Sequence, residues 1–376
     1  MDNKDEEITM RHSFLLSPLK IPSLTLMNRI VMPPMVIFRA DENGMAQLAH
    51  SEHYRRSTGP GLIFVEGAAV LPEGRISLRQ LGIYCDRHIE GLAGLAKIIH
   101  EGGAIAGIQI HHAGASAFHE MNRQRYKLVL AKLIRLAKQH LMISGLRRIR
   151  SAFKDAARRA VEAGFDIVEI HGAHGYIFTQ FLSPLMNRRI GRYGGSLKNR
   201  ARFLLEVFGD ACEEEGDRAF VTCRLGVADG QKGGLHLSEG LMIASELERR
   251  GAKLLDVSSG SHTPAYVRPE NSPYSARMHL AKAAKSAVSI PIIGGGRIFH
   301  PDLAEQALHD GMADLIYVGR GLLADPEWAK KTIAGRSDSI VRCRECVTCF
   351  HHIDSSRCPA RRILNKTVSQ KLLNLG

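Results

Sequence analysis

A chain of 376 residues is long enough for one large barrel domain or two smaller domains, so length alone does not choose. Its 44% hydrophobic and 24% charged content is that of a soluble globular protein, and no apolar run reaches the roughly 18 residues of a helical membrane span. The N-terminal MDNKDEEITMRHSF is acidic and polar, without the basic-then-apolar order of a secretory signal, so a cytoplasmic protein is expected.

The formal charge of +13 raises nucleic acid as a partner. Much of that charge lies between Arg123 and Arg159, in a stretch that reads as largely helical. Aromatic residues make up only 6% of the chain and are not interleaved with the basic ones, which argues against a single-strand stacking platform. A solvated helix face is the better explanation, and nucleic acid is not expected as a partner.

In chain order, residues 14–25, with Pro18 and Pro22, predict a hairpin that plugs the bottom of a barrel. Short apolar runs then recur at 30–35, 62–70, 105–111, 167–171, 220–227, 254–259, 290–294 and 315–319. Between them lie stretches with helical spacing, such as HIEGLAGLAKIIHEGG from His88 and SAFKDAARRAVEAGF from Ser151. Strands alternating with helices predict parallel βαβ units. Eight units fit an α/β fold of the (β/α)8 TIM-barrel type better than an open sheet. No G-x-G-x-x-G follows a strand and opens a helix, so a Rossmann nucleotide domain has no support. The expected organisation is a barrel over residues 1–334 and a cysteine-rich appendage over 335–376.

Catalysis in such barrels occurs at the C-terminal ends of the strands. There the fourth run leads into IHGAHGY, with His171, His174 and Tyr176. Two imidazoles can donate to one substrate oxygen, and those bonds strengthen as negative charge develops on it. A phenol with an ordinary pKa of about 10 is still protonated at neutral pH and can act as a general acid. An H-x-x-H pair also ligates zinc, but no carboxylate or third histidine stands beside it in the sequence to complete that site. The seventh and eighth runs lead into Gly294-Gly295-Gly296-Arg297 and Gly319-Arg320-Gly321. Glycines let backbone N–H groups approach an oxyanion, and arginine adds charge-assisted bonds. These two loops are the usual phosphate site of the fold. Gln109 and Arg224 fall near strand ends where a polar heterocycle could lie, although a structural role for them is equally consistent with the sequence.

Beyond the eighth run, Cys343, Cys346, Cys349 and Cys358 follow a C-x2-C-x2-C-x8-C-P pattern. Such crowding in a cytoplasmic chain points to metal before disulfides. A compact triplet with a fourth cysteine before proline is similar to ferredoxin spacing, which favours a [4Fe–4S] cluster. Zinc is the rival, although it more often uses two separated C-x2-C pairs.

From about Leu15 to Trp328 the chain resembles the old yellow enzyme family of FMN-dependent oxidoreductases. The resemblance is carried by LKIPSLTLMNRIVMPPM (19–35), GLIFVEGAAVLPEGR (61–75), IQIHHAG (108–114), HGAHGYIFTQFLSPLMNRR with its trailing RYGGS, CRLGVADG (223–230), IPIIGGGRI and ADLIYVGRGLLADPEW. It implies that Pro34, Met35 and Gly67 line the flavin ring and that Gln109 meets its pyrimidine edge. Arg224 would sit by N1 and the C2 oxygen, while Gly295, Gly296, Gly319 and Arg320 take the FMN phosphate. Val36 stands where many members carry a hydroxyl or thiol that donates to the flavin. A neutral hydrogen bond is worth about 0.5–1.5 kcal/mol, so a two-electron potential roughly 10–30 mV lower is expected.

The implied reaction is ping-pong. NAD(P)H gives hydride to the flavin, and an electron-poor alkene conjugated to a carbonyl or thioester takes it at the β-carbon. His171 and His174 hold its oxygen, and Tyr176 protonates the α-carbon. Residues 118–145 match the family poorly and say nothing of the substrate. The cysteine segment is similar to that of the branch containing 2,4-dienoyl-CoA reductase and trimethylamine dehydrogenase, which carries a [4Fe–4S] cluster after the barrel. Those relatives continue into a nucleotide-binding module that this sequence lacks, so an electron-transfer partner protein or a structural cluster is expected. Two alternatives are an amine dehydrogenase-like or electron-transfer subunit, and a flavin barrel that modifies RNA.

Overall fold

A computed structural model of the chain describes residues 11–117, 143–260, 268–346, 349 and 358–361. A short antiparallel hairpin comes first, with β1 (Leu19–Ile21) pairing to β2 (Leu24–Leu26). Ser23 turns it in the left-handed region at φ 57°. Eight parallel strands follow and close on themselves in sequence order. They are β3 (Ile30–Met32), β4 (Leu62–Ala69), β5 (Ile105–His111), β6 (Ile167–Gly172), β7 (Phe220–Gly226), β8 (Leu255–Ser258), β9 (Ile292–Gly295) and β10 (Leu315–Tyr317). The expected TIM barrel is the fold.

The strands read as unbroken apolar runs because both of their faces are covered; all eight residues of β4 are buried. Alternation still sorts them. Val31, Leu62, Phe64, Ile167, Ile293 and Leu315 pack inside the barrel with Ile21 and Leu26 of the hairpin, which therefore closes one end. Their neighbours Ile30, Ile63, Val65, Ile108 and Val168 face outward against the helices. Gly107 has to be glycine, because a Cβ there would lie 2.4 Å from the Phe64 ring.

The basic helix Ile143–Glu162 meets an acidic surround. Arg150 pairs with Glu206 and Asp210, Lys154 with Glu214, and Arg158 and Arg159 both with Asp86. Charge neutralised in this way offers little to a phosphate backbone, in keeping with the helix-face reading; residues 118–142 of the same basic stretch lie outside the described residues. Among the described residues no helix is long and apolar enough to cross a membrane.

After β10 the chain is pinned by a buried ion pair. Lys331 Nζ lies 2.7 Å from Asp325 Oδ2. The same carboxylate oxygen accepts the Val341 N–H at 2.9 Å, and Lys331 also donates to the Ser339 carbonyl at 3.3 Å. The segment leading to the cysteines is thereby tied to the barrel.

Candidate active site

The loop after β6 owes its shape to backbone geometry. His174 and Gly175 both sit in the left-handed region, at φ 61° and 75°. That conformation suits glycine and strains histidine. Two bonds to the loop after β8 hold it: the His174 N–H donates to the Ser259 carbonyl at 3.2 Å, and the Gly175 N–H to the Gly260 carbonyl at 2.6 Å. The turn delivers three rings to one place. His171 lies 5.0 Å from His174 and 5.2 Å from Tyr176, centroid to centroid. His174 Nε2 is 2.7 Å from the Ser258 hydroxyl on β8.

A third histidine does stand beside the pair. It comes from the neighbouring strand, where sequence spacing could not reveal it. His111 ends β5, with its ring 5.5 Å from His171 and 4.5 Å from Tyr176. Among the described residues, however, no three histidine, cysteine, aspartate or glutamate side chains are arranged to hold a metal ion. The argument against zinc therefore rests on arrangement and not on the number of imidazoles.

Below these rings lies a buried polar layer. Gln109 Nε2 on β5 donates to Glu169 Oε1 on β6 at 2.7 Å. Arg224 Nε on β7 lies 3.3 Å from Asp256 Oδ2 on β8, and its guanidinium is 5.3 Å from the Tyr317 ring on β10. Burial works against the Arg224 charge, but Asp256, Tyr317 and Glu169 outweigh it, so the guanidinium stays protonated. Burial raises Asp256 to about 6, with Arg224 pulling it down. Glu169 is pushed well above the usual carboxylate range by burial first and by Asp256 second, against Arg224 and the Gln109 bond. The layer therefore sets one held cation among two carboxylates whose ionisation burial opposes.

This has a consequence for stability. Native Glu169 keeps a proton that the unfolded chain releases above about pH 4.3, so stability falls as pH rises from there toward the native pKa. Glu169→Gln keeps the acceptor for Gln109 but cannot titrate. Its thermal stability should fall less steeply than wild type as pH rises above about 5. Equal slopes would mean that Glu169 is ionised in the folded protein.

The glycine loops meet on one side of the same rim. Gly295 pairs with Tyr317 across β9 and β10, which brings Gly296 beside the turn at Gly319. Gly296 needs its φ of 105°. At Gly319 an added Cβ would rest 3.5 Å from Met35 and Pro33, so the loop after β3, with Pro34, Met35 and Val36 half-buried, abuts this turn. Gly67 lies where the β4–β5 register shifts, and a Cβ there would be 3.2 Å from Gln109 Oε1. Two arginines converge on one carboxylate: Glu345 lies 2.7 Å from Arg297 and 3.6 Å from Arg320. Glu345 sits between Cys343 and Cys346, and Cys343, Cys346, Cys349 and Cys358 together line one cavity with Arg320. None of the four is in a disulfide. Burial raises the Cys343 and Cys349 thiols, Arg320 pulls them down, and the neighbouring cysteines add to the rise.

Sequence reasoning missed His111, Glu169, Asp256, Ser258, Tyr317 and Glu345. His111 did leave a signal, because it shares the inner face of β5 with Gln109 at a spacing of two. Glu169 and Asp256 left another, each a lone carboxylate in an otherwise apolar strand.

A closed parallel barrel with an arginine- and glycine-lined rim and a histidine–tyrosine cluster at the strand ends is the architecture of a barrel oxidoreductase. The model of the NADH:flavin oxidoreductase / NADH oxidase family matches residues 14–339, and the chain belongs to that family. An NADPH dehydrogenase of Geobacillus sp. (strain WCH70) is 39% identical over 322 residues, covering 84% of this chain and 92% of that protein. The NADH oxidase of Thermoanaerobacter brockii is 38% identical over 344 residues, 89% of this chain and 52% of that protein. Among solved structures, 2-naphthoyl-CoA reductase with 2-naphthoyl-CoA superposes with a TM-score of 0.80 at 27% identity, over 91% of this chain and 55% of that one. The chain thus spans about half the length of these last two proteins.

Proposed function

We propose that this protein is an FMN-dependent, NAD(P)H-driven reductase of alkenes conjugated to a carbonyl or thioester group. The observation that carries the reading is the cluster of His171, His174 and Tyr176 on the rim that also holds Gln109, Arg224 and the paired glycine loops.

The residues suit FMN. Gln109 spends its amide N–H on Glu169 and keeps Oε1 near Gly67, free to accept from a flavin imide N–H. Arg224 stays charged and can face the edge of the ring that gains electron density. Gly295, Gly296, Gly319 and Arg320 would take the phosphate, an assignment supported by the carboxylate already drawn to Arg320 and Arg297. The loop of Pro34, Met35 and Val36, together with Gly67, would flank the ring. Bound there, FMN supplies the two-electron relay between the nicotinamide and the alkene.

The side chains supply polarisation, protonation and alignment. If the Ser258 hydroxyl donates to His174 Nε2, the proton of that ring sits on Nδ1, the atom that would donate to a substrate oxygen. His171 at 5.0 Å provides the second imidazole. Negative charge developing on the oxygen strengthens both bonds. Tyr176, across from His171, donates its phenolic proton to the α-carbon. An amine substrate has no oxygen for the imidazole pair, which favours the carbonyl reading over amine oxidation. Similarity to a reductase captured with an aryl-CoA thioester supports thioesters among the substrates. Anaerobic turnover of enones, enoyl-thioesters and amines with NADH and with NADPH tests the reading. Oxidation of amines without reduction of any alkene would contradict it.

Cys343, Cys346, Cys349 and Cys358 would hold a [4Fe–4S] cluster. The support is the donor set, four thiols lining one cavity, although in the described residues those thiols are not arranged around an ion. A separate electron-transfer protein would be its natural partner. Protein purified without oxygen should contain iron and acid-labile sulfide in equal amounts, both lost in Cys349→Ala. Zinc with no iron would contradict the cluster.

A further inference from the structure

We infer that Glu66 is a positioning residue for the flavin, because its carboxylate fixes the backbone of the loop after β3 beside Gly67. The inference rests on the proposed FMN reading, in which that loop and Gly67 flank the ring.

Glu66 lies in β4 with its side chain wholly buried, and with Gly67 it occupies the point where the β4–β5 register shifts. Its Oε2 accepts the Ile37 N–H at 2.6 Å. Its own N–H donates to the Tyr54 hydroxyl at 2.9 Å, from the helix Leu48–Arg56. Its Oε1 lies 3.7 Å from His50 Nε2 on the same helix, too far for a hydrogen bond. His50 Nδ1 accepts the Gln47 N–H at 3.1 Å in the capping box of that helix. The ring's proton is therefore on Nε2, the nitrogen that approaches Glu66. Burying a carboxylate costs free energy that an apolar side chain would not, and Oε1 has no hydrogen-bond partner among the described residues. What the carboxylate adds in return is its grip on Ile37.

That grip falls where the chain has few other ties. Pro33 and Pro34 have no N–H to give, and Phe38 turns at φ 53°, a strained position for a bulky residue. Among the described residues, the backbone between Met32 and Ala40 is tied down at Ile37, and the next tie is the Ala40 N–H to the Arg79 carbonyl at 3.1 Å. The Val36–Ile37 peptide is planar and trans, so aiming its N–H at Glu66 aims the Val36 carbonyl the opposite way. Val36 brings no side-chain donor to the flavin, which leaves the loop to meet the ring through its backbone. One residue thus sets the peptide beside Val36 and adjoins Gly67, whose carbonyl is itself held by Gln80 Nε2 at 2.5 Å.

The test compares wild type with Glu66→Gln and Glu66→Asp. Glutamine keeps an oxygen at the same reach and removes the charge. Aspartate keeps the charge and draws its oxygens back by about 1.5 Å, the length of one C–C bond. Flavin-free proteins are titrated with FMN, the visible spectra of the complexes are recorded, and hydrogen exchange of residues 33–40 is followed without FMN. Glu66→Asp should bind FMN about tenfold more weakly, with a shifted flavin absorbance band and faster exchange in the loop. Glu66→Gln should match wild type within about threefold in affinity and keep its spectrum. Affinity and spectrum unchanged in both variants would overturn the inference, even with lower melting temperatures, and make Glu66 a packing residue. The reverse order, with glutamine impaired and aspartate normal, would overturn it in favour of the charge itself. Failure of both variants to fold would overturn it too, as a requirement of folding. Wild-type protein that takes up no FMN defeats the proposed function and this inference together. Wild type that binds FMN alongside two unaffected variants defeats this inference alone.

Discussion

Tyr176→Phe is expected to slow alkene reduction about a hundred- to ten-thousandfold, the usual contribution of a positioned general acid. Reduction of the flavin by NAD(P)H should change little. The asymmetry follows from chemistry, since the step that consumes the alkene needs a proton on carbon and the step that oxidises the nicotinamide does not. Phenylalanine keeps the ring that packs edge-on against His111 at 4.5 Å and beside His171 at 5.2 Å, so the cluster should hold its shape. Only the hydroxyl is lost. Stopped-flow measurement of each half-reaction separates the two rates. Equal losses in both would remove Tyr176 as the proton donor and make it a positioning residue for whatever lies over the flavin.

The second large effect is on stability. Lys331→Met leaves Asp325, with a side chain 0% exposed, without its cation. Removing one partner of a buried pair costs about 3–5 kcal/mol, whereas replacing both is often neutral. The double variant Lys331→Met with Asp325→Asn should therefore recover much of the loss in a denaturant titration. Recovery need not be complete, because Asp325 also accepts from Val341 and Glu327, and an amide can satisfy only one of those N–H groups with its single oxygen. A loss of less than about 1 kcal/mol would mean the pair behaves as a surface one.

The barrel was legible because a strand covered on both faces is an apolar run of limited length, and eight such runs separated by helical spacing leave few alternatives. Strand ends were less legible. The first run was read to Met35, yet β3 stops at Met32. Pro33 and Pro34 have no N–H to give a ladder. The eighth was read to Gly319, and β10 stops at Tyr317, ahead of the turn at Gly319 that opens the helix from Arg320. In the site, residues close together in sequence were found because a strand followed by a tight turn delivers them together. That was true of His171, His174 and Tyr176. Contacts between strands were not found. His111 reaches Tyr176 only because β5 and β6 are neighbours, and Glu345 reaches Arg297 across 48 residues of sequence. No local pattern encodes such meetings. The segments 118–142 and 261–267, between strands of the same barrel, lie outside the described residues.

FMN uptake tests the central claim most directly. Flavin-free protein titrated with FMN should bind one equivalent, and Arg224→Met should bind it more weakly while remaining folded. Wild-type protein that stays folded and takes up no FMN would contradict the account at its root.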